Sequence, residues 1–368
     1  MANGSGDSDA ASEAGSLFSL QSDFPNEDGL AGPGVAPPGD AGEIDDISAQ
    51  EEFENKMREQ IDGLAEKSAK ARQAALTGIR SGLSKKIAVD FVGDRKMTIA
   101  DALERCLKKG KGEEQTQAAA VACLLCVQLG IVDDIESLYA PLRSIFLTIM
   151  KDQTAALKAR SSCADALGLC CFIAGGENEN LVSIMDGLLN VFKASFFKGD
   201  GSRPNLPPDV TLLHASALSA WALLLTIAPP SWTSTEINNL LPRLQELLES
   251  SDVELRIVAG EVIALSYELA RMDNEDFDGS DIDGLCEKLR QLATDSNKYR
   301  AKKERRQQRS SFRDILRAVG VSPDRRRRDE RREMVLGVEE GAWQRLRHRG
   351  ETRDGPRGRG GDVAAAAA

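Results

Sequence analysis

Nine basic side chains fall within twenty residues of this 368-residue chain: Lys298, Arg300, Lys302, Lys303, Arg305, Arg306, Arg309, Arg313 and Arg317. Only Glu304 and Asp314 interrupt them. Cations at that density gain affinity for a phosphate backbone by releasing its counterions, so these are candidate RNA or phosphate contacts. A solvated charged face or a nuclear-import signal has the same composition. Aromatic interleaving is thin, Tyr299 and Phe312, which disfavours stacking on single-stranded bases. Lys108, Lys109 and Lys111 form a second, smaller basic group around Gly110 and Gly112. It is a candidate anion contact at a turn but no P-loop, which needs Gly-x4-Gly-Lys-Ser/Thr after a strand.

Other chemistry-bearing residues read as structural. Cys123-x-x-Cys126 has the spacing of half a zinc site, but zinc takes four ligands and the second pair is missing. The pair lies inside an apolar run, away from any helix N-terminus that would stabilise a thiolate. Cys170-Cys171 reads the same way. The acidic stretch from Asp273 to Asp283 invites a calcium reading, yet an EF-hand needs Glu at its twelfth position and Gly284 stands there. His214, on an apolar helix, reads as a core residue. No catalytic set, metal site or cofactor is expected, and with them no enzyme and no small-molecule substrate.

Charge is divided along the chain. Residues 1–55 hold 13 acidic and no basic side chains, and residues 297–362 hold 21 basic against 11 acidic. Residues 1–50, rich in Gly, Ser, Asp, Ala and Pro, cannot bury enough apolar surface to offset chain entropy and are expected to be disordered. Residues 320–368, rich in Arg, Gly and Ala, read likewise. Seven cysteines without an apolar leader after Met1 point to reduced thiols in cytosol or nucleus. No run approaches eighteen apolar residues, so no membrane partner is expected.

The elements that position these residues repeat. Small-residue steps headed by Arg72, Gln117, Arg160, His214 and Arg256 lie 45, 43, 54 and 42 positions apart. HEAT and armadillo hairpins recur at roughly 40–47 residues, and the long interval holds the Gly/Pro stretch Lys198 to Pro208. The spacing predicts an all-α solenoid of HEAT/armadillo-like hairpins over residues 51–296, with a basic helix over 297–319 beyond it. Ser68 and Thr98 are expected as N-caps, and Gly175-Gly176 as a helix stop. Ordered structure is expected from Glu51, where Phe53, Met57, Ile61 and Leu64 share a face. A stack of this kind builds an extended surface rather than a pocket.

Several strings are similar to the interferon-related developmental regulator family. They are Lys67-Ser-Ala-Lys-Ala-Arg-Gln-Ala-Ala-Leu76, Asp101-Ala-Leu-Glu-Arg-Cys-Leu-Lys-Lys-Gly-Lys-Gly-Glu-Glu-Gln115, Leu125-Cys-Val-Gln-Leu-Gly130 and Trp221-Ala-Leu-Leu-Leu-Thr-Ile227. Ala293-Thr-Asp-Ser-Asn-Lys-Tyr-Arg-Ala-Lys302 and Arg309-Ser-Ser-Phe-Arg-Asp-Ile-Leu-Arg-Ala-Val319 continue the match. The resemblance implies a transcriptional co-regulator acting in differentiation through histone-deacetylase repressor complexes. It also implies the alternative of a translational repressor that binds ribosomes, placing this chain in nucleus and cytoplasm. Charge, not a family motif, puts the ribosomal-RNA contacts at residues 298–313 and 108–111. The resemblance ends at Val319, where family members continue into a further globular region. Without that region Phe312, Ile315, Leu316 and Val319 would lie open to water.

Overall fold

The computed structural model describes residues 41–130, 135–175, 178–295 and 301–320. The expected disordered arm up to residue 40, the tail after 320, and Lys298 and Arg300 lie outside them. The chain divides into residues 1–50 and 51–368, and the described part of the first is the opening of one helix. Among the described residues there are thirteen α-helices, one 3-10 turn and no strand.

The helices of the second unit form six hairpins. They are α1 (Ala41–Gly63, of which residues 51–63 belong here) with α2 (Ala69–Leu83), and α4 (Lys96–Lys109) with α5 (Glu113–Leu129), preceded by short α3 (Val89–Gly93). Then come α6 (Ile135–Lys151) with α7 (Leu157–Ala174), and α8 (Asn178–Phe192) with α9 (Pro208–Leu225). The last two are α10 (Pro230–Leu247) with α11 (Val253–Asp273) and α12 (Ile282–Thr294) with α13 (Lys302–Gly320). Helices α2, α5, α7, α9, α11 and α13 pack each on the next and form an inner layer. Helices α4, α6 and α8 pack in succession behind it. This is a HEAT/armadillo-like solenoid.

The central inner helices α5, α7, α9 and α11 are apolar around most of their circumference because neighbours cover them on both flanks and from behind. Small side chains let them approach closely: Ala118, Ala119, Ala159, Ala164 and Ala166 are fully buried. A Cβ added at Gly168 of α7 would stand 2.8 Å from the Cα of Ala220 in α9. Large side chains close the gaps between layers, with Phe192 edge-on to Trp221 at 6.1 Å. Helix α9 is long and apolar enough by composition to cross a membrane, but it lies between α7, α8 and α11.

Local signals act as their chemistry dictates, with exceptions. Ser68 accepts from the Ala71 amide at 3.4 Å and caps α2. Gly175 takes the left-handed conformation, φ 79°, that ends α7. Thr98 is no cap: α4 already begins at Lys96. Helix α3, which no periodicity announced, exists because Phe91 and Val92 are buried against α5. Helix α1 begins at Ala41, ten residues before the expected start.

The largest difference concerns the basic helix. It is not an appendage beyond the repeats, because Phe312, Ile315 and Val319 are buried and α13 packs on both α11 and α12. It is the inner helix of a sixth hairpin. Gly260 of α11 makes room for it: a Cβ there would meet Phe312 and Ile315 at 2.9 and 2.8 Å.

Two substitutions test this packing. Gly168→Val forces α7 from α9 and should cost roughly 1–3 kcal/mol, measured by urea unfolding. Phe312→Ala should cost roughly 3–5 kcal/mol at the sixth hairpin. Hydrogen exchange should then show protection lost first in α13, and unchanged α13 protection would contradict its place in the stack.

Candidate nucleic-acid interface

Helix α13 sorts its side chains by packing. Gln308, Phe312, Ile315 and Val319 point into the stack. The opposite stripe carries Lys302, Arg306, Arg309, Arg313 and Arg317, spaced i, i+4, i+7, i+11 and i+15. At 1.5 Å per residue these cations span about 22 Å of helix. Lys302, Lys303, Arg306, Arg313 and Arg317 are exposed, whereas Arg305 and Arg309 are half-buried. Arg309 Nε donates to the Arg305 carbonyl at 3.2 Å. Arg317 pairs with Asp314 at 3.0 Å on the exposed surface, a contact worth little. Lys302, Lys303, Arg306 and Arg313 make no ion pair among the described residues.

Stability does not account for that charge. Lys302 and Lys303 occupy the first turn, where the helix dipole is positive and each cation costs about 0.3–1 kcal/mol. Glu304 offsets part of this.

The turn of Lys108, Lys109 and Lys111 joins α4 to α5 and is differently surrounded. All three are exposed, but Lys108 pairs with Glu104, and Glu113 just beyond pairs with Lys158 at 3.0 Å. Four inner-helix steps separate α5 from α13, so the two basic groups lie about 32–40 Å apart. They are separate surfaces.

What holds α13 in place is a set of buried polar groups that charge patterning did not reveal. Arg256 of α11, 2% exposed, donates from Nη2 to Gln308 Oε1 at 2.6 Å and from Nη1 to the Ser250 carbonyl. Gln308 Nε2 donates to the Leu292 carbonyl and to Asp295 Oδ2, each at 3.3 Å. Earlier hairpins repeat the device. Arg72 Nη1 donates to the Glu66 and Lys67 carbonyls, both at 2.9 Å. Gln115 Nε2 donates to Leu107 O at 3.0 Å, and Arg160 Nε to Met150 O at 2.9 Å. Carbonyls at the end of a first helix lack intrahelical partners, as do those of the turn beyond it, and a donor from the second helix supplies one: to the helix end for Gln115, Arg160 and Gln308, to the turn for Arg72 and Arg256. Gln308 follows Arg256 by 52 positions, longer than the roughly 40–47 of a regular repeat, so the period alone did not announce a sixth hairpin.

In the fourth hairpin the head residue is His214, whose Nδ1 lies 2.6 Å from Ser195 Oγ. Both are buried, and burial pushes the imidazole down to about 4, with Arg160 adding repulsion. The pair is a clasp without a carboxylate behind it.

The other candidates are absorbed by the fold. Cys123 and Cys126 face Cys170 across the α5–α7 contact, and Cys170 is held well above the usual thiol range by those two thiols and by burial. All seven cysteines are free. In the acidic stretch Asp281 caps α12 by accepting from Gly284 N at 2.9 Å. Asp273 accepts from Ser234 Oγ at 2.9 Å, and Asp278 pairs with Arg271 at 3.6 Å. No metal-binding group occurs among the described residues. A cleft of about 220 Å³ under the insertion, lined by Ser195, Arg203, Glu246 and Ser251, is smaller than ordinary ligand sites.

Six clasped hairpins with a cationic stripe on the terminal inner helix define the class: a helical-repeat scaffold. The family model for the interferon-related developmental regulators matches residues 33–320. Mouse interferon-related developmental regulator 2 is 48% identical over 276 residues, covering 75% of this chain and 63% of its own. Human interferon-related developmental regulator 1 is 44% identical over 276 residues, covering 75% and 61%. The chain therefore belongs to the interferon-related developmental regulator family, and it spans less than two thirds of the length of these curated relatives. Among solved structures, a designed armadillo repeat protein aligns over 71% of this chain and 98% of its own, at 14% identity and a TM-score of 0.41. An engineered protein aligns over 71% and 98%, at 15% identity and a TM-score of 0.45.

The His214 clasp makes stability pH-dependent. A folded-state value below the ordinary 6.5 means that the unfolded chain takes up the proton first. Stability is thus complete above that value and declines as pH falls toward 4. Thermal unfolding at pH 5 against pH 7.5 should show a loss of roughly 2 kcal/mol attributable to this residue. His214→Asn should flatten that part of the profile, and an identical slope in the variant would remove the residue from the account.

Proposed function

We propose that this chain is a helical-repeat scaffold whose α13 stripe contacts the phosphate backbone of RNA, ribosomal RNA being the class that the family resemblance suggests. The observation that carries this is the cationic stripe itself, in which Lys302, Arg306 and Arg313 are exposed and make no ion pair among the described residues. Five basic side chains sit at helical spacing on a helix anchored by Phe312, Ile315 and Gln308. The anchored helix limits the backbone ordering that contact with a phosphate track would require. Lys298 and Arg300 would extend the track, and Lys108, Lys109 and Lys111 would form a distant auxiliary contact. On this reading the protein represses translation from the cytoplasm by occupying ribosomes.

A second reading is favoured by a different observation. Among the described residues, the inner helices α7, α9 and α11 have one face that no element covers, and an open repeat surface suits protein partners. On this reading the chain acts in the nucleus as a transcriptional co-regulator in differentiation, with histone-deacetylase complexes as the partner class.

Salt separates the two. Contacts to phosphate weaken steeply with ionic strength, whereas apolar contacts change little. Lys302→Glu, Arg306→Glu and Arg313→Glu together alter exposed residues only. On sucrose gradients of lysate at low salt, the unaltered chain should co-sediment with ribosomes and the triple variant should remain at the top. Equal sedimentation of the two would remove the basis of the RNA contact.

A further inference from the structure

The open face of α7, α9 and α11 is organised in rows. Counting from the clasp residues Arg160, His214 and Arg256, the fifth positions are Asp165, Ser219 and Glu261, all exposed. The ninth positions are Leu169, Leu223 and Leu265, all half-buried. Equivalent positions on neighbouring repeat helices lie side by side, so an apolar row runs across three helices beside a row with an acid at each end.

Both acids sit where water solvates them poorly. Asp165 is exposed to solvent, yet surrounding protein holds its carboxyl up to about 6, against the opposing hydrogen bond from Ser216 of α9. Glu261 is likewise raised, by burial first and then by Glu254. Neither forms an ion pair among the described residues. Two acids without ion pairs at the ends of a row on an open face offer charge complementarity to cations on a bound segment.

Spacing sets the ligand's form. Neighbouring inner helices lie about 8–10 Å apart, so Asp165 and Glu261 are separated by about 16–20 Å. An extended chain rises about 3.3 Å per residue and covers that span in five to six residues. We propose that this face binds an extended segment of a protein partner bearing Lys or Arg six residues apart, with an apolar side chain midway on the Leu223 row. The proposal rests on the scaffold reading and is independent of the RNA contact on α13.

The test uses the full chain and a fluorescein-labelled 13-residue peptide with Arg at positions 4 and 10, Leu at 7 and Ser elsewhere. Fluorescence anisotropy should show binding at least about tenfold tighter than for the same peptide with Glu in place of Arg. Asp165→Lys with Glu261→Lys should abolish that preference while leaving the melting temperature equal or higher. Lys302→Glu with Arg306→Glu should leave peptide binding intact, so failure of the RNA contact and failure of this site read out separately. Equal affinity for the two peptides, or unaltered binding by the double Lys variant, would overturn the proposal.

Discussion

Each hairpin depends on one contact: a donor from its second helix meets a backbone carbonyl at the end of its first. A helix end leaves carbonyl groups without intrahelical partners, and within a packed layer water cannot serve them all. Gln115, Arg160 and Gln308 donate to such groups, Arg72 and Arg256 donate to carbonyls of the turn that follows, and His214 meets the Ser195 hydroxyl where the insertion displaces the turn. Arginine serves well at this place because its positive charge also complements the negative end of the first helix. The clasp sets how each hairpin closes, and with it which side of the second helix faces the next repeat.

Given that orientation, packing between inner helices follows from side-chain volume. Alanines and Gly168 let α5, α7 and α9 approach closely, while Gly260 admits Phe312 and Ile315 of α13. The same constraint separates the protein's surfaces. Between inner helices side chains are small, apolar or joined in buried polar pairs such as Arg72–Glu114 and Arg256–Gln308, so charge without an ion pair is left to the open face and to the outer side of the last helix. Asp165 and Glu261 stand on the first, and Lys302, Arg306 and Arg313 on the second. One repeat geometry therefore presents acidic and basic surfaces without either entering the core.

Much of this was legible in the chain because a repeat writes its structure several times. The intervals between Arg72, Gln117, Arg160, His214 and Arg256 identified the solenoid, and the apolar runs in α5 and α9 marked inner helices. The Ser68 cap and the Gly175 stop were readable because both act within a few residues of their own positions. Helix α3 escaped because five residues show no period, and Thr98 misled because a cap residue also occurs inside helices. The cationic stripe was visible in composition, but its anchoring was not: Gln308 looks like any surface glutamine until Arg256 is placed beside it.

By itself, then, the sequence determined the repeat, the helical class and the division into acidic, neutral and basic stretches, because these depend on periodicity and local chemistry. Only the tertiary structure decided that α13 closes a sixth hairpin, since Phe312 buries itself against Gly260 more than fifty residues away in the chain. It also decided that Asp165 and Glu261, one residue pair among many acids, share an open face. Their relation is set by α7 and α11 each packing on α9, which brings residues nearly a hundred positions apart in the chain onto one face.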